Sequence, residues 1–252
     1  MRLSARGVVS VALASLVLAG CGGGGSTATT TPVGASTTGI ADAHTPPATP
    51  EATVQMPSRA VPAKAGSPLT IWRNPGGDPQ QVLPPKTSYG TALVVLVDHA
   101  EGAWIKVLLP TRPNGSTGWV KRTDVTLQVV QDAIEVDVTR HTITVTLAGQ
   151  KPVTGSVAVG STQNPTPTGR YYVTDKLAPK PATGAYGSIA LGLSAHSPTL
   201  TEFGGGDGQI GVHGTSDQAS VGKPVSHGCI RVPKALEPVL AQVSLGTPVT
   251  IS

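Results

Sequence analysis

Cysteine is nearly absent from this sequence: its 252 residues hold two, Cys21 and Cys229. A disulfide framework therefore cannot hold the fold together. Aromatic residues make up only 3% and charged residues 13%, while there are 31 glycines and 23 prolines, a balance that argues against long helices and for strands, turns and linkers. No basic block is interleaved with aromatics, so the chain carries no nucleic-acid footprint. The net charge of +4 is spread along the sequence and gives only a mild bias towards an anionic wall or membrane surface. Beyond the first twenty residues there is no second long hydrophobic run, and there is no internal repeat.

What is present begins at the N-terminus. Arg2 and Arg6 precede an apolar stretch from Val8 to Ala19, broken only by Ser10 and Ser15. A run of about twelve residues is too short to span a bilayer and suits the core of a signal peptide. It ends in Leu18-Ala19-Gly20-Cys21, which resembles the lipobox of bacterial lipoproteins. That resemblance implies removal of residues 1–20, lipidation of Cys21, and anchoring at the outer face of the cell membrane, facing the cell wall. An ordinary secretion signal with an incidental cysteine is the alternative. With Cys21 lipidated, Cys229 is a lone free thiol in an exported protein, a candidate reactive group.

Residues 21–66 are Gly, Thr, Ala, Pro and Ser with few large apolar side chains, and read as a disordered tether. A coil of about 45 residues spans roughly 35–40 Å. His44 lies in it without an assigned role. From 67 to 127, "LTIWRNP", "TALVVLVDHAEGAWIKVLLP" and "GSTGWVKRTDV" are short β-branched or aromatic runs split by turn dipeptides, the pattern of a small antiparallel barrel. "WIKVLLPTRPNGSTGWVKRTDV" resembles the bacterial SH3-like domains that accompany cell-wall enzymes. Trp72, Trp104 and Trp119 are either a ligand platform or core; core packing is the preferred reading in so small a unit. His99 reads as a turn residue.

The stretch 128–252 forms a second unit. Ile134, Val136 and Val138 alternate, as do Ile143, Val145 and Leu147, and the Ala148-Gly149 turn leads to Val153–Val159: a meander with one buried face, His141 at its first turn. Leu236, Val239, Leu240 and Val243 have helical spacing with Gly246 as a stop, and "TPVTIS" closes as a strand. The expected class is mainly β, with one or two short helices.

The chemistry concentrates in "GVHGTSDQASVGKPVSHGCIRV", Gly211–Val232. "QIGVHGT" reads as a buried strand that delivers His213 at its end. A thiol is a useful nucleophile as thiolate, and a nearby imidazole can take its proton. Gly228 lets a carbonyl substrate approach the backbone and leaves the Gly228 and Cys229 amides free for an oxyanion. Arg231 is suited to a substrate carboxylate or to depressing the thiol pKa. From spacing alone three readings stay open: catalysis, an inert buried thiol, and zinc held by His213, His227 and Cys229, for which a fourth ligand is missing.

"HGTSDQASVGKPVSHGCIRV" resembles the signature of the L,D-transpeptidases of the YkuD family, and "NPTPTGRYYV", "IALGLSAHS" and "SLGTPVTI" are similar to it as well. The resemblance covers roughly 133–252 and implies the family's sandwich of strands. It makes Cys229 the acylated nucleophile and His213 the general acid/base, with Gly214, Ser226, His227, Gly228 and Arg231 shaping the substrate and oxyanion site. Some branches of that family carry asparagine at the position of Arg231. The implied activity forms third-residue to third-residue (3-3) cross-links between peptidoglycan stem peptides with release of D-Ala. Water in place of the acceptor amine would give an L,D-carboxypeptidase. No cofactor or metal is implied, and carbapenems are expected to acylate Cys229. His196 is placed near the site without a role. Sortases, the runner-up, separate histidine from cysteine more widely, and NlpC-type peptidases place cysteine before histidine. The non-enzyme alternative is a wall-binding lipoprotein with a lapsed catalytic domain.

Overall fold

The computed structural model describes residues 58–252. The expected signal peptide, the lipidation site Cys21, His44 and most of the expected tether lie outside them.

Seven strands form the first sheet: β1 (Ser58–Pro62), β2 (Leu69–Trp72), β3 (Pro79–Leu83), β4 (Val95–Glu101), β5 (Trp104–Leu108), β6 (Thr117–Lys121) and β7 (Val125–Val129). Their order is β3-β2-β6-β5-β4-β1-β7, with every pairing antiparallel. Alternate residues, among them Leu69, Ile71, Val95, Val97, Ile105, Val107 and Val120, turn to one face and pack into one cluster, so the sheet curls around its own core. β1 lies inside the segment expected to be coil. Nothing in "SRAVP" announces a strand; it forms because Ser58–Pro62 pairs with Val125–Val129 on one side and with Val95 and Leu96 on the other, which satisfies its backbone groups.

The tryptophans correct a second expectation. Trp72, Trp104 and Trp119 are half-buried and stand apart from the core cluster. Trp72 faces Trp119 across β2 and β6, Lys106 faces Trp119, and Lys121 faces Trp104, so indoles and lysines share the outer face. Lys121 Nζ sits 4.8 Å from the Trp72 ring centre, and Trp72 meets Trp104 edge to face at 5.7 Å. The aliphatic residues that alternate with the indoles fill the inner volume, so the large rings are left to the outside.

The second sheet is built from β8 (Ala133–Asp137), β9 (Thr142–Thr146), β10 (Val153–Ser156), β12 (Gly169–Leu177), β13 (Ala190–His196), β14 (Gln209–His213), β16 (Ile230–Arg231) and β17 (Pro248–Ile251). A separate parallel pair joins β11 (Val159–Gly160) to β15 (Pro224–Ser226). The eight-stranded order is β10-β9-β8-β17-β12-β13-β14-β16. The last strand, β17, inserts parallel to β8 and antiparallel to β12, closing one continuous core. His141 stands at the meander turn with φ 53°, half-buried, its Nδ1 2.8 Å from the Gly222 carbonyl. The protein is mainly β, as expected.

The expected helix is shorter than its apolar spacing suggested. A 3-10 turn, Lys234–Leu236, runs into α1 (Glu237–Leu240), and Leu236, Leu240 and Val243 reach the core. It stops before Gly246, which stands at φ 78° in the turn before β17; a Cβ there would come within 2.6 Å of Arg59.

The two sheets share an apolar seam. Val94, Leu96 and Leu108 from the first pack on Tyr172 of β12, which is fully buried. Asp98 and Arg170 bridge the seam at 2.8 Å, and the Thr87 hydroxyl donates to buried Asp175 at 2.5 Å.

Candidate active site

The register of two short parallel strands places the chemistry. Val212 pairs with Ile230 and His213 with Arg231. Ile210, Val212, Ile230 and Val232 are all in the core, so the residues that alternate with them turn the other way. Those are Gly211, His213, Cys229 and Arg231. Gly211 has no side chain beside the thiol, and its amide donates to Cys229 Sγ at 3.4 Å. His213 lies two positions further along the same face, about 6–7 Å by strand rise. Residues sixteen positions apart in sequence thus meet on one surface because a core-facing alternation is kept on both strands.

His213 is held from behind. Its Nδ1 lies 2.5 Å from the Gly214 carbonyl, which only accepts, so Nδ1 carries the proton and Nε2 keeps a lone pair. Gly214 is itself fixed: its amide donates to Ile189 O at 3.1 Å, and a Cβ on it would fall 2.5 Å from Glu237 Oε1. Both its polar groups are engaged, which fixes the imidazole's tautomer and leaves the Gly214 amide without a free donor for an oxyanion. Glu237 is buried at the start of α1 and accepts from the Ser188 amide at 2.8 Å and from the Ser188 hydroxyl. Burial pulls the His213 pKa down from 6.5 to about 4; the Gly214 hydrogen bond opposes this and the Arg231 charge adds to it. At neutral pH the imidazole is an uncharged base.

Cys229 sits on a turn tied by Ser226. The buried Ser226 hydroxyl donates to Cys229 O at 2.6 Å and accepts from the Gly228 amide at 3.1 Å. Thr166 anchors the same turn, donating to Gly228 O at 2.8 Å while accepting from Gly160 N. The Gly228 amide is therefore committed to Ser226, and of the two expected oxyanion donors only the Cys229 amide remains. The thiol pKa is raised: burial outweighs the Gly211 hydrogen bond and the Arg231 charge, both of which lower it. Arg231 does lower the thiol pKa, one of the two uses the sequence offered for it, but desolvation outweighs its charge.

Gly228 stands at φ 116°, and a Cβ on it would lie 2.8 Å from Ile210 Cδ1. Gly228→Ala is expected to cost about 1–3 kcal/mol of stability through backbone strain. It should also displace Cys229, so that thiol acylation slows beyond what the loss of folded protein explains. Thermal unfolding followed beside the rate of Cys229 modification checks both. An unchanged melting temperature with unchanged reactivity would show that the turn does not need glycine.

A cleft of about 280 Å³ opens over this face, lined by His213, Cys229, Ser226, His227, Arg231 and Tyr186. A second recess of about 450 Å³ shares Cys229 and His213 and is walled by Tyr89, Leu177, Pro179 and Phe203. His227 is exposed and lies against Phe203 at 5.1 Å; it lines the cleft rather than serving the thiol from behind. Tyr186 packs on His213 at 4.7 Å. His196 is buried at the end of β13 with Nε2 3.0 Å from Asp207, outside the two recess linings. Arg231 has no carboxylate partner among the described residues. No three His, Cys, Asp or Glu side chains among them gather as metal ligands.

Sequence reasoning missed Thr166, Tyr186, Phe203 and Glu237. Only Phe203 left a trace: the chain's one phenylalanine stands in "EFGGGDG", a glycine-rich loop that has no core to bury it. Glu237 read as part of a helix and Thr166 as loop, because their partners are far away in sequence.

The parallel strands β14 and β16 present a thiol and an uncharged imidazole in one cleft, a pairing capable of acyl transfer. Residues 131–251 match the family model YkuD, L,D-transpeptidase catalytic domain. Residues 131–251 are thus similar to the L,D-transpeptidase catalytic domains of the YkuD family. It is 33% identical over 120 residues to a putative L,D-transpeptidase YkuD of Bacillus subtilis (strain 168), a match covering 47% of this chain and 65% of that protein, just under two thirds of its length. Among solved structures, the catalytic domain of an E. faecium L,D-transpeptidase is 21% identical, with 50% of this chain and 99% of that one covered and a TM-score of 0.35. L,D-transpeptidase 3 from Mycobacterium tuberculosis, in complex with a faropenem-derived adduct, is 17% identical, with coverages of 64% and 92% and a TM-score of 0.41.

Proposed function

We propose that the protein is a cysteine-dependent L,D-transpeptidase that forms 3-3 cross-links in peptidoglycan. The observation that carries this reading is the shared face of β14 and β16, on which the Cys229 thiol and the uncharged His213 open into one cleft. Cys229 Sγ attacks the carbonyl between the third residue of a tetrapeptide stem and its terminal D-Ala, while His213 Nε2 takes the thiol proton. The oxyanion that forms is stabilised by the Cys229 amide. Its collapse breaks the C–N bond, and D-Ala leaves as an amine with the proton returned by His213. The thioester is then attacked by the side-chain amine of a second stem's diamino acid. That amine gives its proton to His213, and the departing thiolate recovers it. Arg231, lacking a carboxylate partner among the described residues, suits the D-Ala carboxylate. Water in place of the second amine gives carboxypeptidase activity at the same site. A carbapenem would acylate the same thiol.

The proposal extends to location: a lipid on Cys21 and a tether from the cell membrane, with the first sheet as an SH3-like unit facing the wall. The test of function uses the full chain with purified tetrapeptide muropeptide monomer. A dimer lacking one D-Ala, with a matching acyl-enzyme in the intact-mass spectrum, is the expected product. Tripeptide alone makes the protein a carboxypeptidase. A folded sample giving neither product nor acyl-enzyme overturns the reading and leaves a wall-binding lipoprotein.

A further inference from the structure

The long connection between β13 and β14, residues 197–208, carries Leu200 and Phe203 into the cleft above Cys229, and Phe203 walls both recesses. It is glycine-rich and has few large side chains to bury, so its own sequence does little to fix its position. Much of its fixation comes from the other sheet. Arg112, in the β5–β6 connection, donates to three carbonyls of this loop: Nη1 to Ser197 O at 2.7 Å, and Nη2 to Leu200 O at 3.0 Å and to Asp207 O at 2.8 Å. The fork of one guanidinium thereby ties the beginning of the loop to its end. Two residues on, Asn114 copies a strand neighbour at the base of the same loop. Its Nδ2 donates to His196 O at 2.7 Å, and its Oδ1 accepts from the His196 amide at 2.8 Å. From the catalytic side, Asn164 accepts from the Thr199 hydroxyl at 3.0 Å, and Ser197 N donates to Gly208 O at 2.8 Å. Gly208 is part of the arrangement: a Cβ there would meet Leu200 O at 2.0 Å and Arg112 Nη2 at 3.0 Å.

We propose that Arg112 and Asn114 of the first sheet are positioning residues for the active site, clamping loop 197–208 so that Phe203 and Leu200 form the wall against which the acyl donor is aligned over Cys229. The first sheet is thus part of the working enzyme and more than a spacer. The inference rests on the proposed acyl-transfer reading of the cleft. Neither residue touches the reacting atoms; they act through the loop.

The test compares the full chain with Arg112→Ala, Arg112→Lys and Asn114→Ala, with exposed Arg73→Ala as control. Three readouts are taken: hydrogen–deuterium exchange over 197–208, the rate of Cys229 modification by a small reagent (iodoacetamide), and the rate of its acylation by the tetrapeptide stem. In both Arg112 variants, loop exchange is expected to rise at least tenfold while exchange in β12–β14 stays as in the parent, which keeps misfolding apart from the clamp. Stem acylation should fall by about 10–100-fold, mostly in KM, since small misplacements of a bound substrate carry penalties of that order. Iodoacetamide should react within about twofold of the parent rate, because the thiol and its base are untouched. Arg112→Lys should not rescue, because one ammonium cannot span three carbonyls; full rescue by lysine would overturn the clamp. So would loop exchange and acylation unchanged from the parent. If the parent itself is not acylated by the stem, the proposed function fails, while loop exchange and the ratio of bulky to small maleimide rates at Cys229 still decide the clamp.

Discussion

Cys229→Ala is expected to abolish cross-link formation, a fall on the order of 10⁴-fold or more, because Cys229 is the one thiol among the residues that line the cleft and the hydroxyls beside it are far weaker nucleophiles. The change should be nearly silent in stability. The thiol is half-buried at the cleft floor and, among the described residues, accepts one weak bond, from the Gly211 amide. Ser226, Thr166 and Gly228, which shape the turn, keep every hydrogen bond to its backbone. Muropeptide products followed by mass spectrometry, with a melting curve on the same sample, measure both. Residual cross-linking above one hundredth of the parent rate would mean that a different nucleophile does the work. Cys229→Ser distinguishes geometry from chemistry: it keeps the size of the side chain but offers an alcohol that His213 can scarcely deprotonate, and should be almost as inactive.

The second large effect concerns His213. Its pKa of about 4 and the raised thiol pKa mean that the resting pair is thiol and neutral imidazole rather than thiolate and imidazolium. The rate of acylation should therefore hold as pH falls through 6.5 and drop only as the imidazole protonates near 4. A pair resting as ions would instead lose activity below its raised histidine pKa. The pH dependence of kcat/KM for acylation separates these, and a midpoint at 6.5 or above would contradict the neutral pair. His213→Asn should reduce acylation by about 10²–10⁴-fold. The same shift has a stability signature. The unfolded histidine binds its proton near 6.5 and the folded one only near 4, so the site's contribution is complete above 6.5 and is withdrawn as pH falls towards 4. The loss over that window is up to about 3 kcal/mol. His213→Asn should remove that slope from the melting temperature's pH dependence.

Much of the site was legible in the sequence because it depends on short-range order. The buried strand "QIGVHGT", with Ile210 and Val212 facing the core, announces which side is left for His213. The roles of the two glycines were not legible. Gly228 read as an opening for substrate, and the resemblance placed Gly214 in the substrate and oxyanion site, yet their amides are taken by Ile189 O and Ser226 Oγ, partners that only the fold can supply. Arg231 read as suited to a substrate carboxylate or to lowering the thiol pKa; its charge does lower it, but the larger opposing desolvation depends on how deeply the turn is packed, which no local pattern encodes. The tryptophans show a different limit. Their alternation with Ile and Val was plain, but which of the two sets faces inward depends on the volume a curled sheet can enclose, and aliphatic residues won. β1 was missed because five residues without a strand signature become a strand only when two neighbours claim them.

The seam at Tyr172 bears on how the chain divides. Val94, Leu96 and Leu108 meet a tyrosine that is wholly sequestered, and removing the first sheet would put that ring and its neighbours into water. A fragment cut at 128 would thus begin life with a greasy patch where the intact chain has an interior, and should aggregate or demand detergent. With a shared interior at this seam, the two halves should melt together as a single cooperative body.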